Sequence, residues 1–284
     1  MPKIERHPLT ELEPLSESIG MWKESLDLAL DAVRTRPDVL NQLARVAVEY
    51  AGYLQVGAPG SPELCRALRA GAQAEGALFA VASAAPGEVE VPLGDGPPAR
   101  YRTQGPTDYS HAANWRQGFH LAVLVRDRET LDRLCRVPLD VLRASPTRTD
   151  EYAYLYVDAL QGYWRSEQDT PARLTRALEE TEPAKVPIAG PDFVLDLIVP
   201  EMELLYRVML GDAAAFNASL ASALELYKKY WSHAKRAYAP EGQLAWGALA
   251  MASLAHEQGL AVTVESDYLP PRLWRGECRA LSPR

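Results

Sequence analysis

The sequence predicts a mainly all-α protein of stacked antiparallel helix pairs, in the manner of tetratricopeptide or HEAT repeats, with one small β-hairpin. The first observation is that apolar residues recur at three- and four-residue spacings, as they do along residues 19–33. The second is that polar turns recur at similar intervals, at Asp127, Glu167 and Asp212. The third is that this helical pattern breaks around residues 88–103, where two short extended runs flank a glycine-rich turn.

Three helices are expected in residues 1–85. The first carries the apolar stripe described above. Pro37 and Asp38 open the second helix, with Asp38 as its predicted N-cap, and this helix runs to about Val56. Ser61 and Pro62 open the third, since proline is favoured in the first turn of a helix.

Residues 86–106 form the predicted hairpin and loop insertion. The run EVEVPLGDGPPARYR has Gly94 and Gly96 at its centre, which is typical of a tight turn between two strands. Its prolines suit edge positions, because proline cannot donate a hydrogen bond to a neighbouring strand.

Residues 107–284 are expected to hold the helix-pair repeats and a C-terminal tail. The three units lie at about 110–137, 150–180 and 200–231, each a helix, a polar turn and a second helix. A last helix ends at Gly259, and a short extended piece at 261–265 follows, which could pair with the hairpin or with itself. With 47% hydrophobic residues the chain has ample material for one core, so residues 1–284 are expected to form a single helical domain.

Composition argues against several classes of function. The net charge is −8, and an acidic surface repels phosphate backbones, so we expect no nucleic-acid partner. No window approaches the roughly 20 apolar residues of a membrane span, and the N-terminal residues are charged and broken by proline, unlike a signal peptide. We therefore expect no membrane partner.

The three cysteines, Cys65, Cys135 and Cys278, are odd in number and far apart, with no CxxC pair. This pattern favours reduced thiols and a cytoplasmic location.

No phosphate-binding loop, dinucleotide-binding motif, nucleophile elbow or zincin motif occurs, so we expect no cofactor, no metal and no catalytic residues. Glu201 and Glu203 lie near the first turn of their predicted helix. The helix dipole favours carboxylates there, and this accounts for both residues.

The segment GPTDYSHAANW, residues 105–115, is the richest in functional side chains. Thr107 or Asp108 is its predicted helix cap, while His111 and Trp115 fall on the apolar face, opposite His120. We therefore interpret His111 as a structural rather than a catalytic histidine. The candidate partner-binding or pocket residues, here and in the C-terminal tail, are Asp108, Tyr109, His111, Asn114, Trp115, Glu265, Asp267 and Tyr268.

Several segments together resemble the family called immunity protein 49. They are VPLGDGP, GPTDYSHAANW, DEYAYLYVDALQGYW, GDAAAFNASLASALELYKKYW and LAMASLAHEQGLAVTVESDYLPPRLW, in this order from about residue 60 to 275. The resemblance implies a bacterial protein that binds and neutralises a cognate toxin of a polymorphic-toxin system, and it carries no catalytic residues over to this chain.

Two other hypotheses stay open. One is an enzyme of small-molecule metabolism on the same all-α scaffold, with a pocket near residues 108–115. The other is a helical-repeat adaptor that joins other proteins. A deep pocket that joins His111 to a carboxylate such as Asp108 or Glu265 would favour the enzyme. An open acidic face with exposed tyrosine and tryptophan would favour a binding protein, whose toxin would then be basic.

Overall fold

The computed structural model describes residues 3–9, 14–94 and 96–278, and it confirms an all-α fold with one small β insertion. Short 3-10 helices precede several of the α-helices, as at Pro37–Val39 and Pro240–Gln243. The α-helices of this part of the chain are α1 (Leu15–Ala32), α2 (Leu40–Gly57), α3 (Pro62–Ser83), α4 (Ala112–Val125), α5 (Arg128–Leu134), α6 (Leu139–Arg143), α7 (Glu151–Trp164), α8 (Thr170–Glu179), α9 (Pro191–Phe193), α10 (Val199–Leu210), α11 (Ala213–Trp231), α12 (Trp246–Glu257) and α13 (Pro271–Trp274).

Helices that follow one another in sequence pack together. Helix α2 packs between α1 and α3, α3 packs on α4, and α7 and α10 pack on α8 and α11 respectively. The turn between α10 and α11 is built as the sequence predicts. Gly211 ends α10 in the left-handed conformation (φ +70°), and Asp212 Oδ1 accepts hydrogen bonds from the amides of Ala214 and Ala215, both at 3.0 Å.

The centre of the molecule is made by α4 and α12, which contact each other although they lie far apart in sequence. Residues 118–125 of α4 are all buried, and so are residues 249–255 of α12. A helix that is apolar on every side must be covered on every side, and α3, α5, α7 and α10 supply that cover. Any polar side chain within these stretches therefore needs a buried partner.

The hairpin is confirmed where the sequence predicts it. Strands β1 (Glu88–Val91) and β2 (Ala99–Arg102) pair antiparallel, with Glu88 opposite Arg102. The hairpin is held against the N-terminal helices by Arg34, which donates hydrogen bonds to the carbonyls of Pro97 (3.1 Å) and Leu93 (3.3 Å).

Two predicted caps are wrong. Helix α2 begins at Leu40 after the 3-10 turn, and Asp38 instead forms an exposed ion pair with Arg36 at 2.7 Å. Helix α4 begins at Ala112, later than predicted, and its N-cap is His111 rather than Thr107 or Asp108. The reason is that residues 107–110 form a turn of their own, in which the Ser110 amide donates to the Thr107 carbonyl at 3.1 Å.

The extended piece at 261–265 pairs neither with the hairpin nor with itself. The side chain of Asn217 holds it through the carbonyl of Ala261 and the amide of Thr263, both at 2.7 Å. The chain then runs parallel to the N-terminal segment at a bridge between Ile4 and Ser266. The partner of this piece is the start of the chain, which the sequence pattern gave no reason to expect.

The expectation of three reduced cysteines is also wrong, because Cys65 and Cys278 form a disulfide that joins α3 to the end of the described chain. Cys135 is a free, buried thiol, and burial raises its pKa well above the usual range.

Within the described residues, none of the helices has the length and apolar character needed to cross a membrane.

Candidate functional site

A buried polar cluster lies where α4, α7 and α10 meet. Its centre is Glu201 of α10, which is 5% exposed. Its Oε1 accepts hydrogen bonds from His120 Nε2 of α4 at 2.7 Å and from the Tyr156 hydroxyl of α7 at 3.0 Å. Its Oε2 lies 3.6 Å from Nη1 of Arg116, one helical turn before His120. We call these four residues the Glu201 cluster.

The electrostatics of the cluster keep Glu201 charged. Burial by itself raises the pKa of this carboxyl, but His120 and Arg116 through their charge, and Tyr156 through its hydrogen bond, bring the pKa below its usual range. Burial and the neighbouring carboxylate raise the pKa of Tyr156 well above 10, so its hydroxyl stays a hydrogen-bond donor. An ionised carboxylate only accepts hydrogen bonds, and His120 Nε2 is therefore the donor in its contact with Glu201.

A cavity of about 290 Å³ opens beside the cluster. Arg116, His120 and Glu201 all line it, and so do the aromatic side chains of Phe193, Tyr227, Trp231 and Trp246. A second, smaller cavity of about 170 Å³ has Tyr152, Tyr156 and Ile188 in its wall. Arg116 and Phe193 line both cavities, and the Arg116 guanidinium lies over the Phe193 ring at 6.0 Å.

The wall of the larger cavity includes a stretch of π-helix, Val194–Ile198, which joins α9 to α10 without a break. Asp196 in this stretch is buried, with 7% of its surface exposed, and its carboxylate forms an ion pair with Lys229 of α11 at 3.0 Å. One-turn π segments inside α-helices occur frequently at functional sites.

The structure separates the predicted site residues of the 105–115 segment. Asp108 and Tyr109 are exposed, Tyr109 by 46%. His111 is half-buried, and its Nδ1 accepts a long hydrogen bond, 3.4 Å, from the Asn114 amide at the start of α4. Burial lowers the pKa of His111, which favours the neutral imidazole. Only the neutral ring has a nitrogen that can accept the hydrogen bond of a helix cap. Trp115 is fully buried and donates from Nε1 to the Leu134 carbonyl at 2.8 Å, so it is a core residue and not a surface contact.

Asn114 is the predicted residue that reaches the larger cavity. It lines the wall while its side-chain amide donates to Asn41 Oδ1 and to the Tyr109 carbonyl, both at 2.9 Å. The linings of the two cavities do not include Asp108, His111 or Glu265. The cavity therefore lies deeper than the predicted pocket and meets that segment only at its inner edge.

The C-terminal candidates hold the N-terminal segment. Asp267 pairs with Lys3 at 2.6 Å, and exposed Glu265 accepts a hydrogen bond from the Ile4 amide through its carbonyl at 3.0 Å. Tyr268 is fully buried, and its hydroxyl lies 2.7 Å from both the backbone amide and the Nδ1 of His7. Tyr268, like Trp115, is a core residue and offers no contact at the surface.

Sequence reasoning missed the Glu201 cluster. Glu201 was attributed to the dipole of a free helix start, but α10 continues directly from the π-helix, and the carboxylate points into the core. A signal was present in α4, where Arg116, Gln117 and His120 form a polar stripe at helical spacing within an otherwise apolar helix.

The family model described as immunity protein 49 matches residues 59–273, from just before α3 to α13. No curated protein and no solved structure matches the chain. The resemblance noted over residues 60–275 is thereby confirmed as to family.

Proposed function

Because this chain belongs to the immunity protein 49 family, we propose that it binds a cognate protein toxin of a bacterial polymorphic-toxin system and neutralises it by covering the toxin's functional site. The observation that carries this proposal is the extent of the family match, which spans α3 to α13. It includes the cavity wall and the outer surfaces of these helices.

The surface that best suits such a partner is the outer face of α9, the π-helix and α10. Leu195 of the π-helix is 43% exposed. Tyr206 and Leu210 of α10 are 42% and 55% exposed, and their separation of four residues places both on one face of that helix. Exposed aromatic and aliphatic side chains of this kind anchor protein interfaces. We call these three residues the α10 stripe.

Charge supports a basic partner for this surface. Asp192 and Asp212 lie at the two ends of the stripe, and the whole chain carries a net charge of −8. Glu203, beside the stripe, pairs with Arg207 at 3.2 Å. The acidic ends and the negative net charge steer a positively charged protein toward this face.

The test is rescue of cells that express a toxin encoded beside this protein, together with pull-down of that toxin. We expect the double variant Tyr206→Ser/Leu210→Ser to lose rescue and to bind about 10-fold more weakly or worse. A matched control is Met21→Ser/Leu28→Ser on α1, which removes two side chains exposed by 52% and 72% outside the family match. Absence of rescue and of binding by the native chain would contradict the toxin-binding proposal itself. Loss in both double variants alike would contradict only the choice of surface.

The enzyme alternative has one observation in its favour, the buried His120–Glu201 pair beside a cavity. The cavity beside that pair meets the predicted pocket segment 108–115 only at Ala113 and Asn114, and the pair specifies no reaction. The cytoplasmic location stays a prediction that the Cys65–Cys278 disulfide argues against, because disulfides persist mainly in oxidising compartments.

A further inference from the structure

The larger cavity contains an unused hydrogen-bond acceptor. Both donors that reach Glu201, His120 and Tyr156, bind the same oxygen, Oε1. The other oxygen, Oε2, has Arg116 Nη1 at 3.6 Å, which is too long for a hydrogen bond. A buried carboxylate normally satisfies its lone pairs, so this arrangement leaves room for a further donor.

The donors beside this acceptor are also only partly used. In the described part of the chain, the Arg116 guanidinium makes the long ion pair with Glu201 and lies over the face of Phe193. The guanidinium carries five N–H donors in a planar fork. Arg116 and Glu201 together therefore present a donor beside an acceptor, 3.6 Å apart, in the wall of one cavity.

Gly247 of α12 makes room for the Glu201 carboxylate itself. A Cβ atom at this position would lie 2.2 Å from Glu201 Oε2 and 2.6 Å from the carboxyl carbon, closer than atoms can approach. Because residue 247 has no side chain, the carboxylate can take this place in the wall of the cavity, which Gly247 also lines.

The remaining walls define the shape of a ligand. Phe193, Trp231 and Trp246 supply aromatic surfaces, and such surfaces favour planar rings. The volume of about 290 Å³ is at the lower end of the range for small-molecule pockets. The donor of Arg116 and the acceptor of Glu201 lie side by side, which favours a molecule with an acceptor and a donor on one edge, as an uncharged lactam has.

We propose that this cavity binds a small, neutral, planar heterocycle with a lactam edge, its ring N–H donating to Glu201 Oε2 and its adjacent carbonyl accepting from Arg116. The site lies in the interior, while the α10 stripe lies on the outer surface. Ligand binding here is thus a function separate from toxin neutralisation and does not depend on it.

The probe is 2-pyridone, a single planar ring with this edge, and its matched control is N-methyl-2-pyridone, which keeps the ring and carbonyl but lacks the N–H. Binding is followed by NMR through the indole N–H signals of Trp231 and Trp246, with Trp22 on α1 as an internal reference. A fragment of this size is expected to bind with a Kd of about 1 mM. The methylated probe is expected to bind about 10-fold more weakly or worse, because it cannot donate to the carboxylate.

Variants identify the acceptor. Glu201→Gln keeps the shape, lets the amide oxygen accept from His120 and Tyr156, and turns a donor toward the cavity. We expect 2-pyridone to bind this variant about 10- to 100-fold more weakly. Glu203→Gln, an exposed position on the same helix, is the control and should bind like the native chain.

If Glu201→Gln fails to fold by circular dichroism, Gly247→Ala displaces the Glu201 carboxylate from its place in the cavity wall without removing its charge, and it should weaken binding similarly. The proposal is overturned if 2-pyridone gives no saturable shift of the two indole signals. It is equally overturned if both probes bind alike, or if the folded acceptor variant binds like the native chain.

Discussion

Glu75 of α3 is 1% exposed, and its Oε2 has no hydrogen-bond partner among the described residues. It packs against Gly118 of α4, in the centre of the molecule. Burial raises its pKa well above 4.5, so the folded protein retains the proton of this carboxyl at pH values where the unfolded chain has already released it. Glu201 is buried as well, but it has cationic and hydrogen-bonding partners that keep it charged.

We predict that Glu75→Met stabilises the protein by at least about 1 kcal/mol at pH 7. The folded-state pKa is raised, so the unfolded chain releases a proton above about pH 4.5 that the folded chain retains. Stability therefore falls by up to about 1.4 kcal/mol per pH unit as the pH rises from there toward the folded-state pKa.

Denaturant unfolding between pH 4 and pH 8 measures this slope. Glu75→Gln should remove the fall of stability with pH that comes from Glu75. Because the amide is still a buried polar group without a partner, this variant should gain less stability than Glu75→Met. Glu24→Met, at an exposed position of α1, is the control and should keep the native slope. Equal pH slopes in the native chain and in Glu75→Met would refute the prediction.

At the scale of elements, the structure shows how the N-terminal segment is attached. Residues 4–7 lie along residues 265–268, with the Ile4 amide donating to the Glu265 carbonyl and the Asp267 amide donating to the Ile4 carbonyl. His7 completes this contact through Tyr268 on one ring nitrogen and Gln243, at 2.9 Å, on the other. The segment is too short and irregular to carry a periodic signal, so sequence patterns could not reveal its partner.

We predict that this segment detaches at mildly acidic pH. Burial, and then the charges of Arg6 and Lys228, lower the pKa of His7 to about 4, against 6.5 in an unfolded chain. The stabilisation from neutral His7 is thus complete above about pH 6.5 and is lost as the pH falls toward 4. The total loss is at most about 3 kcal/mol.

Hydrogen exchange at the amides of Ile4 and Asp267, corrected for intrinsic rates, reports the detachment. Between pH 7 and pH 5 we expect the protection of these amides to fall by up to about 30-fold. His7→Gln should remove this pH dependence, whereas His233→Gln, at an exposed histidine, should leave it unchanged. Protection that is constant between pH 7 and pH 5 in the native chain would contradict the prediction.

At the scale of the whole molecule, contacts between distant parts of the chain close the fold. Helix α12 packs on α4, and α13 also contacts α4. The Cys65–Cys278 disulfide then joins α3 to the end of the described chain across a sequence separation of 213 residues. Helix pairing is local in sequence and could be predicted, but these long-range contacts could not.

We predict that the disulfide contributes about 2–4 kcal/mol to the free energy of unfolding, because it restricts the unfolded chain over a long loop. The Cys278→Ser variant should unfold at a correspondingly lower denaturant concentration, and a reducing agent should not change its stability further. Cys135→Ser is the control and should keep the full sensitivity of the native chain to reducing agent. Thiol titration of the folded, air-purified protein should find Cys65 and Cys278 unreactive, and two reactive thiols at these positions would refute the pairing.

The sequence by itself determined the features that depend on local pattern. The spacing of apolar residues predicted the helices, and glycine and proline residues predicted the hairpin at 88–103. The order of several sequence segments along the chain identified the family. Asp212 was correctly predicted as a cap because its partners are two and three residues away.

Only the tertiary structure decided which polar residues are buried together. His120, Tyr156 and Glu201 come from three different helices, and each has an ordinary alternative explanation when read alone. The free energy of a buried charge depends on partners that folding brings within hydrogen-bond distance. Such partners leave no periodic signal in one sequence, and the cavity beside Glu201 and the Cys65–Cys278 pairing were therefore visible only in the folded chain.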